Sequence, residues 1–458
     1  MLSRRRFVGY SALSSAMAVY PQLLRAGQAP YDGPLRLAIL GSVYKQGSRL
    51  QTIADRFLVG YPWEGDWHMP EVKVVSLYVD SRDRRMAGRT PDYIRFLSGA
   101  TPPPPQQRGA RAGTGAAIEE AAGDLSRARA QQFGFRLCNN IPQALRNGGD
   151  RLAVDAVLTV VEQDDYPVNH KGQAMLPNYD FFQQCAQVFE SEGKAVPYFN
   201  HGALSFSFPE AQEMVKTAQR LKMPLLGGTS MPVTWRLPDV DLPMGAVVEE
   251  AVMVGAGSLD FDALEAMQAM LERRKGGETG VKAVQMLEGD DVWEAGRAGR
   301  WSHALMSSAL SRSDTPMGLT ILDGRTQDLA APGVLPQLVK DPVAYCVEYT
   351  DGTKATLLML NGAIRDFNLS MRVAGHGMVS TQFYMSVPPN ETHSACLAGK
   401  IEQMYRTKSA PYSVERTLLA SGILEALMTS RYRSNERVLT PQLAVKYAAP
   451  AESQYARS

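Results

Sequence analysis

The sequence predicts an α/β chain: a Rossmann-like, doubly wound parallel sheet followed by an α+β domain with an open, mainly antiparallel sheet. Two observations carry this expectation. Through the first half, short apolar runs rich in β-branched residues alternate with helix-length amphipathic segments, as in a parallel sheet covered on both faces. From about Trp235 the strands lengthen and alternate, and Asp351-Gly352 lies between two of them as a hairpin signal. A length of 458 residues suits two domains.

The elements follow in order. Residues 35–40 form a buried-strand run ending at Gly41, residues 50–58 read as helix, and residues 72–79 form a second strand ending in Asp80. Residues 98–115 hold a Pro/Gly/Arg stretch, with consecutive prolines from Pro102 to Pro105. That composition builds no core and predicts a mobile surface insertion. A helix is expected over 117–133 and the clearest buried strand over 154–161. Phe182, Cys185, Ala186 and Phe189 share one face of a helix at 179–189. A short strand at 195–198 precedes Ser207-Phe208-Pro209-Glu210, whose capping-box spacing opens a helix burying Met214, Val215, Ala218 and Leu221. Residues 224–228 close the series as a strand. Beyond it, strands are expected at 344–349, 353–360 and 367–373, and helices at 395–406 and 414–432. The domains are therefore read as 30–234 and 235–458, after a leader of residues 1–29.

Charge and cysteine content narrow the function classes. With 48 basic and 47 acidic side chains the formal net charge is +1, which argues against a nucleic-acid binder. Cys138, Cys185, Cys346 and Cys396 show no C-x-x-C spacing and are read as mostly buried free thiols, with a single bridge left open. No residue set has diagnostic metal-ligand spacing.

At the amino terminus, Ser3-Arg4-Arg5-Arg6-Phe7-Val8 precedes an apolar run to Tyr20 and a small-residue cleavage site at Ala26-Gly27-Gln28-Ala29. This is similar to a twin-arginine signal. It predicts passage of the folded protein through the twin-arginine export machinery to the periplasm. The run is shorter than the ~20 residues of a permanent membrane span. An exported enzyme using a soluble dinucleotide would need to hold it tightly.

The stretch Val196-Pro197-Tyr198-Phe199-Asn200-His201-Gly202-Ala203-Leu204-Ser205, with the helix and strand after it, resembles the strand–E-K-P–helix–strand segment of the glucose–fructose oxidoreductase / inositol dehydrogenase (Gfo/Idh/MocA) family. The resemblance implies a nicotinamide cofactor, NAD or NADP, and a carbohydrate or polyol substrate. Three departures stand out. Where the family has G-x-G-x-x-G, this chain reads Gly41-Ser42-Val43-Tyr44-Lys45-Gln46-Gly47-Ser48, with valine at the second glycine. Gly41, Ser42 and Gly47 are the candidate phosphate contacts; a purely structural turn is the alternative. Asp80 is placed for a ribose hydroxyl, although it lies nearly twice the usual ~20 residues beyond the turn.

In the second departure, the family lysine falls on Asn200, which cannot act as a cationic acid, and His201 follows as the candidate proton carrier. In the third, the family histidine of the second domain falls near Asp262. A carboxylate there can serve as a base or bind a metal, while helix capping beside Ser258 and Asp260 is the bland alternative. Glu162, Asp165 and Tyr166 lie on the loop that borders the nicotinamide pocket in the family. They are candidates for binding cofactor or sugar hydroxyls or, with His170, for ligating a divalent metal, or else residues of a solvated loop.

The leading expectation is an exported oxidoreductase acting on a carbohydrate or polyol. A non-redox isomerase, lyase or hydrolase on the same scaffold, or a non-catalytic sugar-binding protein, are the alternatives that the substituted positions keep open. Homo-oligomerisation is left open as well.

Overall fold

The computed structural model describes residues 33–80, 124–162, 166–317, 328–386 and 390–457. Residues 1–29, read above as a leader, the proline-rich stretch and Asp165 lie outside the described residues. Strands β1 (Leu35–Gly41), β4 (Val72–Val79), β5 (Arg136–Cys138), β6 (Ala156–Val160), β7 (Tyr198–His201) and β8 (Leu225–Gly228) form one sheet in the order β5-β4-β1-β6-β7-β8. All its pairings are parallel. This is the doubly wound order of dinucleotide folds, with its switch point between β1 and β6. A hairpin of β2 (Tyr61–Trp63) and β3 (Asp66–His68) precedes β4.

Side-chain alternation along β1 explains the layering. Ala38 and Leu40 face a core with α4 (Asn178–Glu192) and α5 (Phe208–Arg220), while Leu37 and Ile39 face a core with α1 (Arg49–Val59). Both faces are apolar, so the run is continuous. Between them in the chain lie the short helices α2 (Ser126–Phe133) and α3 (Ile141–Leu145).

The second sheet has the order β16-β11-β12-β13-β10-β14-β15-β9. It comprises β9 (Arg236–Leu237), β10 (Val248–Gly255), β11 (Val281–Glu288), β12 (Val343–Tyr349), β13 (Lys354–Met359), β14 (Phe367–Val373), β15 (Gly377–Phe383) and β16 (Val438–Leu439). Only β10 and β13 pair in parallel, and the two edges do not meet. The β12–β13 hairpin turns at Gly352, whose φ of 92° suits glycine. Helices α6 (Asp260–Leu271) and α11 (Glu415–Tyr432) cover one face. On the other, α7 (Asp290–Arg297), α8 (His303–Leu310) and α9 (Val334–Leu338) pack on Val252, Val254 and Leu358. Helix α10 (His393–Thr407) returns to the first sheet, where Leu397 and Ile401 join the core of Leu37 and Ile39.

Two local expectations are corrected. The strand read at 195–198 runs over Tyr198–His201 instead, because Pro197 has no N–H and the ladder is carried by Tyr198 N donating to Pro224 O. Asn200 and His201 therefore belong to the strand. The capping box at Ser207 does not form: Glu210 accepts from Ser205 Oγ, and Phe208 N donates to Glu425 Oε2 at 2.9 Å. All four cysteines are free thiols.

Candidate functional site

Because the first sheet is parallel, the carboxyl ends of its strands share one edge. In register, Gly41 lies between Val79 and Val160, and His201 lies beside Gly228. Gly41, Asp80, Glu162 and His201 are thereby gathered along that edge, where ligands bind in open α/β sheets.

Two cavities open there, of about 590 and 730 Å³, and three side chains line both: Arg49, His201 and Asp262. The smaller cavity is also bounded by Glu162 and Asn178, the larger by Gly47 and, from the second sheet, Gln382. His201 is 6 % exposed, and its Nδ1 has no hydrogen-bond partner among the described residues. Burial, helped by the Arg49 charge, lowers its pKa to about 3, so the imidazole is neutral. Asp262, in the first turn of α6, lies 3.7 Å from the Arg49 guanidinium. Burial raises its carboxyl above the ordinary range against the opposing pull of Arg49. A neutral imidazole, a carboxyl poised to take or give a proton and an arginine suit a ligand rich in hydroxyl groups.

Arg49 escaped the sequence reading although a signal existed. It is the first residue of a helix capped by Ser48, and that first turn contains no acid to meet the helix dipole. Glu265 escaped as well. It is fully buried, accepting from Thr229 N at 2.8 Å, Thr229 Oγ1 at 3.2 Å and Thr417 Oγ1 at 2.8 Å. Burial raises its pKa to about 7.

Asn200 and Tyr166 are placed away from the shared wall. Asn200 is wholly buried; its Oδ1 accepts from Asn178 Nδ2 at 3.1 Å and its Nδ2 donates to Ala203 O at 2.9 Å. It lines neither of the two cavities. Its amide fastens the turn after β7, which corrects the expectation of a catalytic group at this position. Tyr166 turns its hydroxyl to Asp80 Oδ2 at 2.7 Å and lines a separate hollow with Tyr179 and Glu210, so it does not face His201. A buried phenol needs a partner, and the Asp80 carboxylate supplies one.

The dinucleotide that the fold implies needs free backbone donors at the start of α1 and an acceptor for its ribose. Here those groups are engaged by the chain itself. Val43, at the position of the family's second glycine, is 2 % exposed. Ser42 Oγ accepts from Glu162 N at 2.9 Å and donates to Glu162 O at 3.0 Å, stitching β1 to the end of β6. Glu162 Oε1 accepts from Leu50 N at 3.4 Å, Ser48 Oγ accepts from Gln51 N, and Gln51 Oε1 accepts from Gly47 N at 2.7 Å. Asp80 accepts from Tyr78 and Tyr166. In this arrangement the residues do not fit a pyrophosphate. Among the described residues, no group of three or more His, Cys, Asp or Glu side chains is placed to hold a metal.

No protein-family model and no curated protein matches the sequence. Solved structures do match. GenD2 from gentamicin A biosynthesis, in complex with NAD, has a TM-score of 0.50 at 12 % identity, covering 91 % of this chain and 99 % of that one. The myo-inositol dehydrogenase of Lactobacillus casei, in complex with NAD(H) and myo-inositol, has a TM-score of 0.47 at 10 % identity, covering 92 % and 99 %. At such identities the likeness is one of fold. The chain shares its fold with GenD2, a parallel Rossmann-like sheet followed by a mixed, mainly antiparallel one.

Proposed function

We propose that the chain is an oxidoreductase of the Gfo/Idh/MocA type that acts on a carbohydrate or polyol, with a nicotinamide dinucleotide, NAD or NADP, as its cofactor. The observation that carries this reading is the shared wall of Arg49, His201 and Asp262, placed at the carboxyl edge of a sheet with dehydrogenase order. In this reading Arg49 orients a substrate hydroxyl by donating to it. His201 accepts or donates as a neutral imidazole, and Asp262 moves the proton. GenD2 with NAD, matched over nearly its whole length, supports the choice of cofactor class.

The test is the nucleotide itself. Purified mature protein is denatured and its supernatant examined by absorbance and mass spectrometry. A released nicotinamide dinucleotide in near-stoichiometric amount is the expected result. The buried valine in the turn at Val43 and the engaged donors of α1 favour a second reading, a carbohydrate-active protein without redox chemistry. Stoichiometric polyol binding with no nucleotide, bound or bindable, would establish that reading instead.

Export is proposed as well, on the Ser3–Val8 pattern. Replacing Arg4 and Arg5 together with lysine should leave the protein in the cytoplasm; undiminished periplasmic accumulation would refute export. Among the described residues no helix is long and apolar enough to cross a membrane.

A further inference from the structure

The start of α1 is the anion seat of this fold: first-turn N–H groups and the helix dipole face the switch point between β1 and β6. In this chain the seat is taken by a carboxylate of its own. Glu162 reaches across from the end of β6 and accepts from Leu50 N. Its backbone is held on both sides by the Ser42 hydroxyl, so the carboxylate is delivered by a fixed frame rather than by a loose surface loop. Burial raises the Glu162 carboxyl above its ordinary range, and the backbone N–H groups of Arg49 and Leu50 and the Arg49 charge oppose that rise.

A second observation points to a ligand at this spot. His201, 6 % exposed, keeps a buried Nδ1 without a partner among the described residues, and it lines the same cavity as Glu162 and Arg49. A buried polar atom left unpaired costs free energy that a bound group would recover. The cavity wall thus carries an imidazole whose Nδ1 lacks a partner among the described residues, beside a seat whose Leu50 donor is already engaged.

We propose that Glu162 is an internal stand-in for phosphate. Its carboxylate occupies the anion seat of α1 in the ligand-free protein and must swing out before the pyrophosphate of a dinucleotide can enter. It is a built-in competitor that sets nucleotide affinity. This rests on the nicotinamide reading for its natural ligand, but the seat can be tested without that reading.

The experiment uses the full mature chain, unfolded, stripped of any bound nucleotide and refolded, as wild type, Glu162→Ala and Glu162→Gln. Each is titrated with NADH and NADPH by nicotinamide fluorescence, and with inorganic pyrophosphate by thermal shift. Melting in ligand-free buffer shows which variants fold. Freeing the helix terminus should tighten dinucleotide binding in Glu162→Ala by about tenfold. Pyrophosphate should raise its melting temperature by a few degrees while leaving the wild type unmoved. Glu162→Gln, which keeps an acceptor and loses the charge, should fall between the two and serves if the alanine variant does not fold. Equal dinucleotide affinity in wild type and variants overturns the proposal, as does a variant that responds to neither dinucleotide nor pyrophosphate. Variants that take pyrophosphate but no dinucleotide would uphold the stand-in and refute the nicotinamide reading.

Discussion

Arg49 and Asp262 face each other at 3.7 Å, joining the first helix of the parallel-sheet layer to the first turn of the helix that opens the second. The contact is long for an ion pair and forms part of the wall shared by both cavities. It matters through its effect on the carboxyl. Burial pushes Asp262 up, and the guanidinium is the largest influence pulling it back. Replacing Arg49 with methionine keeps the apolar stem and removes the charge, so Asp262 should hold its proton to a higher pH. The acid limb of substrate binding or turnover should move to higher pH, and Arg49→Lys should restore most of it. An unchanged pH profile in Arg49→Met, whatever its melting temperature, would remove Arg49 from the working site.

His201 gives a stability signature of the opposite kind. Its folded pKa of about 3 lies below its ordinary value of 6.5, because burial disfavours the imidazolium. The unfolded chain takes up a proton as pH falls through 6.5 while the folded one does not. The histidine's contribution is therefore whole above about pH 6.5 and is lost progressively as pH falls toward 3. Between pH 7 and pH 4, wild type should lose about 3 kcal/mol more than His201→Gln, read from urea unfolding at each pH. Parallel pH dependence of the two proteins would mean that the imidazole is not held neutral.

Much of the fold was legible in the sequence because it is written locally. Leu37 and Ile39 against Ala38 and Leu40 are apolar on both strand faces, and that pattern marks a buried parallel strand wherever it falls. The site was less legible, because its pairings join distant segments. Tyr166 and Asp80 are 86 residues apart, and nothing near either announces the other. Glu265 reads as an ordinary helix-surface glutamate. Only the fold brings Thr229 and Thr417 to it from opposite directions and takes it out of water. His201 was legible as a candidate, but its place inside a strand depended on where Pro197 allowed the ladder to begin.

Glu265 carries the third prediction. Its folded pKa is about 7 against an ordinary 4.5, raised by burial. A raised pKa stabilises the protonated folded state, so the contribution is present below about pH 4.5 and is lost as pH rises through 7. Glu265→Gln has no proton to lose. It should therefore gain about 3 kcal/mol relative to wild type on going from pH 4.5 to pH 8. The measurement is the unfolding free energy of both proteins across that range. A constant difference would show that the carboxyl is already ionised at low pH.

Asn200 tests whether the lysine expected from the family resemblance can be put back. The asparagine is wholly buried and fully engaged with Asn178 and Ala203. Asn200→Ala leaves the Asn178 amide and the Ala203 carbonyl with only their long contact to each other, Asn178 Nδ2 donating to Ala203 O at 3.4 Å, and should cost about 2 kcal/mol. Asn200→Lys is more severe, because it drives an ammonium into a position that lacks a facing carboxylate among its hydrogen-bond partners. The cost should be about 3 kcal/mol or more, or the lysine should be forced neutral. Neither substitution should raise polyol turnover, since the side chain lines neither of the two cavities at this edge of the sheet. Unfolding midpoints together with turnover at saturating polyol decide the matter. An Asn200→Lys protein as stable as wild type and faster in turnover would mean that this position faces the substrate, and the working wall would then have to be redrawn around it.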